Sequence, residues 1–144
     1  MWYIGIVFIR YNPKGILMMD AKEFFRARKI LEKTQKQLAE LLGSSIKAVH
    51  SYEQGWRPVP AAVERQLFFL LSRLKTSRKL NADCWNVKKC PQRRRENCPA
   101  WEFRSGSLCW FINGTVCNGT VQKNWKDKMA VCRSCKIFKK LLKV

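Results

Sequence analysis

Closely spaced helix start and stop signals constrain the fold more than any other feature of this sequence. Thr34 and Gln37 have the spacing of a capping box, in which each side chain accepts a hydrogen bond from the other residue's backbone amide. Gly43 and Gly55 lie where a helix commonly ends in a left-handed residue. Ser45, just after the first of these glycines, suits a helix N-cap. The pattern predicts two short helices joined by a tight turn.

Apolar residues at helical spacing extend this arrangement on both sides. The spacing predicts helices over residues 20–33 and 61–74, before and after the two short helices. On the last of these helices, Arg65 and Gln66 are expected to face solvent. The side chains expected to face the core are Phe24, Ala27, Ile30, Leu31, Leu38, Ala39, Leu41, Leu42, Val49, Tyr52, Val63, Leu67, Leu70, Leu71 and Leu74.

This part of the chain resembles the phage-repressor (Cro/CI-like, XRE-type) helix-turn-helix family over about residues 20–74. The similar residues are Thr34-Gln-x-x-Leu38-Ala-x-x-Leu-Gly43-x-Ser45 and Val49-x-x-Tyr52-Glu-x-Gly55. The resemblance implies a mainly α fold class, with a bundle of four or five helices. It also implies that the third helix enters the major groove of double-stranded DNA, commonly as a homodimer. An ion pair between Arg28 and Glu53 is a further implication of the resemblance.

The segment supplies candidate DNA contacts of two kinds. The residues expected to meet phosphates through backbone amides and short polar groups are Gln35, Ser45 and Gln54. The candidates for contacts with base edges are Ile46, Lys47, His50 and Ser51. A lysine suits guanine acceptors and an isoleucine can meet a thymine methyl group. The alternative for every one of these residues is an ordinary solvated helix surface.

All the cysteines lie in the second half of the chain, at Cys84, Cys90, Cys98, Cys109, Cys117, Cys132 and Cys135. Seven cysteines within so short a span favour metal or cluster binding over simple burial of thiols. A neighbouring DNA-binding module implies a reducing, cytoplasmic compartment, where stable disulfides are rare. No histidine lies in this half, so the donors would be thiolates, which suit zinc and iron–sulfur clusters alike. A thiol sensor without metal remains an alternative.

The second half resembles the short Cys-Trp-bearing (two-CW-like) modules attached to bacterial signalling and regulatory proteins. The similar residues are Cys84-Trp85, Cys90, Cys98-Pro-Ala, Cys109-Trp110, Gly114-Thr, Cys117 and Cys132-x-x-Cys135. The resemblance implies a sensory role and leaves the bound group open.

Local patterns in this half predict a small α+β module. Asn113-Gly114 suits a type I′ turn between strands at residues 108–112 and 115–117, which would place Cys117 opposite Trp110. Helices are expected around Trp125 and over residues 135–144. The basic run at residues 92–95 would be either a solvated loop or a contact to DNA phosphates.

Charge and length limit the classes of function. A net charge of +19 on 144 residues indicates a polyanionic partner, with nucleic acid ahead of membrane. The apolar runs are shorter than the ~20 residues that a membrane helix needs. Small size and a single histidine argue against an enzyme, and no small-molecule substrate can be identified.

The predicted organisation is a DNA-binding domain at residues 19–74, a linker at 75–83 and a cysteine-rich module at 84–144. Residues 1–18 would be an N-terminal arm, or would precede the true start codon at Met18 or Met19. The sequence thus predicts a cytoplasmic, sequence-specific transcriptional regulator. Its cysteine module would either sense metal or redox state or be a metal-stabilised element for dimerisation and for contact with the DNA backbone. The alternative is a constitutive nucleic-acid-binding protein whose zinc module is purely structural. A thiol redox enzyme using Cys132 and Cys135 is disfavoured, because a thioredoxin-like strand-to-helix setting is missing.

Overall fold

The computed structural model describes residues 18–74 and 83–142. These residues are mainly α-helical and include one two-stranded sheet, as the sequence predicts. Most of the predicted N-terminal segment and of the predicted linker lies outside the described residues. No helix within the described ranges is both long enough and apolar enough to cross a bilayer.

Four helices form the first part of the structure: α1 (Ala21–Ile30), α2 (Gln35–Leu42), α3 (Ile46–Gln54) and α4 (Ala61–Ser72). The predicted capping box opens α2, with distances of 3.1 Å from the Gln37 amide to Thr34 Oγ1 and 3.0 Å from the Thr34 amide to Gln37 Oε1. Gly43 and Gly55 end α2 and α3 at φ values of 64° and 73°, which favour glycine. The predicted starts and stops of both helices are confirmed.

The core between these helices contains most of the predicted apolar residues. Phe24, Leu38, Val49 and Leu67 are fully buried. Leu41 was also expected to face inward, and this is wrong, because its side chain is 50% exposed. On α2 it lies about 100° around the helix from the centre of the buried face.

The second part of the structure consists of short elements. It contains three single-turn helices, a 3₁₀ turn, a hairpin whose strands have two residues each, and two longer helices. Their bounds are α5 (Cys84–Val87), α6 (Gln92–Arg95), α7 (Pro99–Glu102), the 3₁₀ turn Cys109–Phe111, β1 (Val116–Cys117), β2 (Thr120–Val121), α8 (Trp125–Cys132) and α9 (Lys136–Leu142). The helices expected around Trp125 and near the C-terminus are present.

The hairpin lies five residues later than predicted. β1 pairs antiparallel with β2 around Asn118 and Gly119, whose φ values of 54° and 78° suit a type I′ turn. Cys117 is therefore opposite Thr120, and its predicted position opposite Trp110 is wrong. The two Asn-Gly pairs are locally equivalent turn signals. Residues 109–111 form a 3₁₀ turn instead of a strand, and Trp110 is buried there in the core.

The two parts of the structure share one hydrophobic core. The ring of Phe68 on α4 meets the rings of Trp110 and Phe138 edge-on, with centroid distances of 6.3 and 5.0 Å. The prediction that Arg65 faces solvent is wrong. Arg65 donates a hydrogen bond to the Phe111 carbonyl at 2.7 Å, and its guanidinium lies over the Phe111 ring. The methylene groups of a long arginine side chain can pack on apolar surface, and the second part of the structure supplies such a surface next to Arg65.

A buried ion-pair cluster also joins the two parts. Arg133, just after α8, donates to Glu64 Oε1 at 2.8 Å and to Glu23 Oε1 at 2.9 Å. Glu64 also accepts a hydrogen bond from the Met19 amide at 3.3 Å. Burial raises the pKa of Glu23, although the neighbouring Arg133 acts to lower it. The cluster fixes the end of α8 against α1 and α4.

Candidate nucleic-acid interface and thiol cavity

Helix α3 has a buried face and an accessible face. Ala48, Val49 and Tyr52 are buried against the neighbouring helices. The opposite face contains the predicted base contacts: Ile46 and Lys47 are exposed, whereas His50 and Ser51 are half-buried. Among the predicted phosphate contacts, Ser45 and Gln54 are exposed and Gln35 is half-buried.

Several of these polar groups already have partners in the chain. Ser45 Oγ accepts the Ala48 amide at 3.1 Å, as expected of an N-cap. Ser51 Oγ donates to the Lys47 carbonyl at 2.8 Å. These hydroxyls stabilise α3 itself, and contact with DNA would be an additional role.

An exposed aromatic residue follows α3 and was not among the predicted contacts. Trp56 is 71% exposed, and its ring meets the His50 ring edge-on at 5.3 Å. An isolated exposed tryptophan is unusual, since tryptophan is highly buried on average. The sequence signal that could have identified Trp56 is its position directly after Gly55, which ends α3.

Glu53 holds α1, α2 and α3 together. Its carboxylate accepts hydrogen bonds from Arg28 Nη2 at 3.1 Å and from Gln35 Nε2 at 2.8 Å, and Arg28 Nε contacts it as well. Burial acts to raise the pKa of Glu53, but the hydrogen bonds from Arg28 and Gln35 outweigh it and the pKa is lowered. The ion pair implied by the family resemblance is present. The Gln35 side chain orients α2 against α3 through this bond, and its predicted contact with a phosphate stays a prediction.

All seven cysteines line a single cavity of about 70 Å³ in the second part of the structure. One water needs only about 10–15 Å³ of such space, so the cavity has room for a small bound group. The cysteines that the sequence places in one module thus line the same cavity, although consecutive cysteines are separated by up to 14 intervening positions. All seven cysteines are free thiols in this structure.

The thiols differ in how readily they ionise. A hydrogen bond between Cys109 and Cys84 lowers the pKa of Cys84 to about 7, and the same bond, together with burial, raises the pKa of Cys109. Burial raises the pKa of Cys132 to about 11, against an opposing effect of Lys128. Of these three thiols, Cys84 is therefore the one most readily available as a thiolate, the form that binds metals.

The donor set fits a metal, but the donors have not converged. Within residues 18–74 and 83–142, no three His, Cys, Asp or Glu side chains form a ready-made metal site. Only sulfur donors line the cavity among the residue types that commonly bind transition metals, and thiolates select zinc or iron–sulfur clusters. Ligation would require several thiols to turn towards one point across the cavity.

Basic and aromatic residues surround the same cavity. Arg95 Nη2 donates to the Cys90 carbonyl at 3.2 Å, and its guanidinium lies over the Trp101 ring. Trp101 in turn meets the Trp85 ring at 4.9 Å, and both rings line the cavity. The basic run at residues 92–95 is the helical turn α6, so its prediction as a loop is wrong. The cation–π contact of Arg95 with Trp101 holds this turn in place, and a fully solvated run would have no such contact.

No protein-family model, curated protein or solved structure matches this chain. The resemblances noted in the sequence therefore rest on their motif residues alone. What the chain does is inferred from its own residues and geometry.

Proposed function

We propose that this protein is a transcriptional regulator that binds double-stranded DNA. In this proposal α2, Gly43 and α3 are a helix-turn-helix of the phage-repressor type, and α3 enters the major groove. The observation that carries the proposal is the division of α3 into a buried face and an accessible face that contains Ile46 and Lys47. A homodimer would place two such helices on a two-fold-related site.

The chemistry of the α3 surface supports this role. Among the first-turn amides of α3, the Ala48 amide is bonded to Ser45 Oγ. The amides of Ile46 and Lys47 precede the first hydrogen bond within the helix, so they can donate to phosphate oxygens. Lys47 can donate to guanine acceptors in the groove, and Ile46 can meet a thymine methyl group. The network around Glu53 holds α3 in a fixed orientation, so that no ordering of the helix is needed on binding. The net charge of +19 supplies attraction to any duplex.

We further propose that the cavity binds a metal ion or an iron–sulfur cluster through several of its seven thiols. When bound, such a group would crosslink the short elements of the second part and make them responsive to metal supply or to oxidation. Elemental analysis of protein purified natively without oxygen tests this. We expect iron with sulfide and a brown colour, or zinc without colour. Protein that is fully folded and metal-free would contradict it.

The contacts between the two parts suggest how the cavity would regulate DNA binding. Arg133 lies next to Cys132 and is bonded to Glu23 and Glu64 on the helices that support α3. A change at the cavity would therefore alter the packing of α1 and α4. A coupling free energy of about 1–2 kcal/mol changes DNA affinity about 5–30-fold.

Replacing Lys47 by alanine tests the base contact. We expect Lys47→Ala to weaken binding to the preferred duplex by about 1–3 kcal/mol and to relax the sequence preference at one base position, because a donor to a base edge is lost. The affinities for the preferred duplex and for a non-specific duplex should be measured at the same fixed salt concentration.

The control for this substitution is Lys126→Ala, which removes the same charge from an exposed position on α8. It should weaken all duplexes alike, and by less. Equal weakening of specific and non-specific duplexes by Lys47→Ala would make Lys47 a phosphate contact. No weakening at all would contradict the proposed orientation of α3.

A further inference from the structure

Lys128 on α8 is a fully buried lysine. Its ammonium group donates a hydrogen bond to Thr115 Oγ1 at 2.5 Å, and Thr115 is buried as well. A hydroxyl is neutral, so this bond cannot compensate the positive charge. A buried ammonium without a nearby anion lowers the stability of the folded protein, because the charge has lost its hydration.

No carboxylate of the described ranges forms an ion pair with Lys128. The ion pairs found there join Arg28 to Glu53, and Arg133 to Glu23 and Glu64. The compensating anion must therefore come from groups other than these carboxylates. The thiols of the cavity are ionisable candidates, because Thr115, which binds Lys128, lines the cavity together with them.

Lys128 is placed to act on those thiols. Lys128 and Cys132 are four residues apart on α8 and so lie on the same face of the helix. Cys132 and Thr115, the hydrogen-bond partner of Lys128, both line the cavity. The charge of Lys128 also acts on Cys109, which is buried and lines the same cavity.

We infer that Lys128 is the built-in counter-charge of an anionic thiolate centre that includes Cys109 and Cys132. Four thiolates around Zn²⁺ carry two net negative charges, and a [4Fe–4S]²⁺ cluster with four thiolates carries the same net charge. A buried cation suits either centre and does not suit a cationic or neutral ligand. The inference rests on the proposed thiolate centre and is independent of DNA binding.

The test compares Lys128→Met with Lys126→Met, a matched loss of charge at an exposed position of the same helix. The metal is removed from each full-length protein with a chelator, and Co²⁺ is titrated back in competition with that chelator. The absorption of Co²⁺–thiolate bonds reports binding directly. We expect Lys128→Met to bind Co²⁺ about 10–100-fold more weakly than wild type, as for other outer-shell partners of metal ligands. Lys126→Met should bind like wild type.

Stability of the metal-free proteins separates this role from a structural one. Without metal, Lys128→Met should be at least as stable as wild type, because an apolar side chain replaces an uncompensated buried cation. Lys128→Gln, which can still bond to Thr115, is the second variant if the methionine protein does not fold.

The outcomes distinguish this inference from the proposal on which it rests. Unchanged Co²⁺ affinity in both Lys128 variants would overturn the inference alone. A loss of stability in the metal-free variants, with affinity unchanged, would show a structural role and overturn it as well. Failure of the wild-type protein to bind Co²⁺ would overturn both the inference and the proposed thiolate centre.

Discussion

Replacement of Arg133 by methionine is expected to lower the free energy of unfolding by about 3–5 kcal/mol. The guanidinium is almost completely buried and compensates two carboxylates, Glu23 and Glu64, the second of which has no exposed surface. Methionine fills similar space but leaves both charges inside the protein without a cation. Urea unfolding at neutral pH, followed by tryptophan fluorescence, measures the change.

Two further variants make this result specific. Arg26→Met removes an exposed arginine from α1 and should change stability by less than about 0.5 kcal/mol. Glu64→Gln in the Arg133→Met background should recover part of the loss, because one uncompensated charge is removed. An Arg133→Met protein as stable as the Arg26→Met protein would contradict the buried cluster that joins the two parts of the structure.

Removal of the proposed metal centre is expected to have an effect of similar size. With free metal at about 1,000 times its dissociation constant, a centre that binds only the folded protein adds about 4 kcal/mol of stability. The core formed by Phe68, Trp110 and Phe138 is shared between the two parts, so the loss should reach α4 as well. Chelation should therefore lower both the melting temperature and the affinity for duplex DNA, measured at fixed salt.

Adding back different metals provides the control. Zn²⁺ should restore the melting temperature, whereas Mg²⁺ should not, because thiolates are poor ligands for Mg²⁺. Identical melting curves before and after chelation would contradict the presence of a stabilising centre. A shifted melting curve with unchanged DNA affinity would indicate a purely structural centre and would contradict the proposed sensory role.

The parts of the fold that could be predicted are those fixed by neighbouring residues. The ends of α2 and α3 follow from Thr34, Gly43, Ser45 and Gly55, whose effects act over three or four positions. The burial of Val49 follows from the same local periodicity. The sequence could therefore predict the proposed DNA-binding surface before any tertiary contact was known.

The parts that could not be predicted depend on packing between distant segments. Asn113-Gly114 and Asn118-Gly119 are equal as turn signals, and burial of Trp110 decides between them. The burial of Glu64 requires Arg133, which is 69 positions away. No local pattern could pair these two residues.

Lys128 is an intermediate case in which a usable signal was available. Trp125, Met129 and Cys132 have helical spacing and lie on the face of α8 that packs against the core. Lys128 lies on that same face. A lysine on an apolar helix face that also contains cysteine indicates that the lysine charge has a function. The seven cysteines could be assigned from the sequence only to one module, since spacing does not determine which thiols approach one another across the cavity that they line.

Footprinting on duplexes selected from a random pool measures whether α3 enters the groove of a specific duplex. We expect one enriched sequence with two half-sites about 10 base pairs apart, or a multiple of that spacing. The wild-type protein and Lys126→Ala should protect it, and Lys47→Ala should protect it less well. A chain that enriches no duplex sequence, or that protects all sequences equally, would contradict the entry of α3 into such a groove.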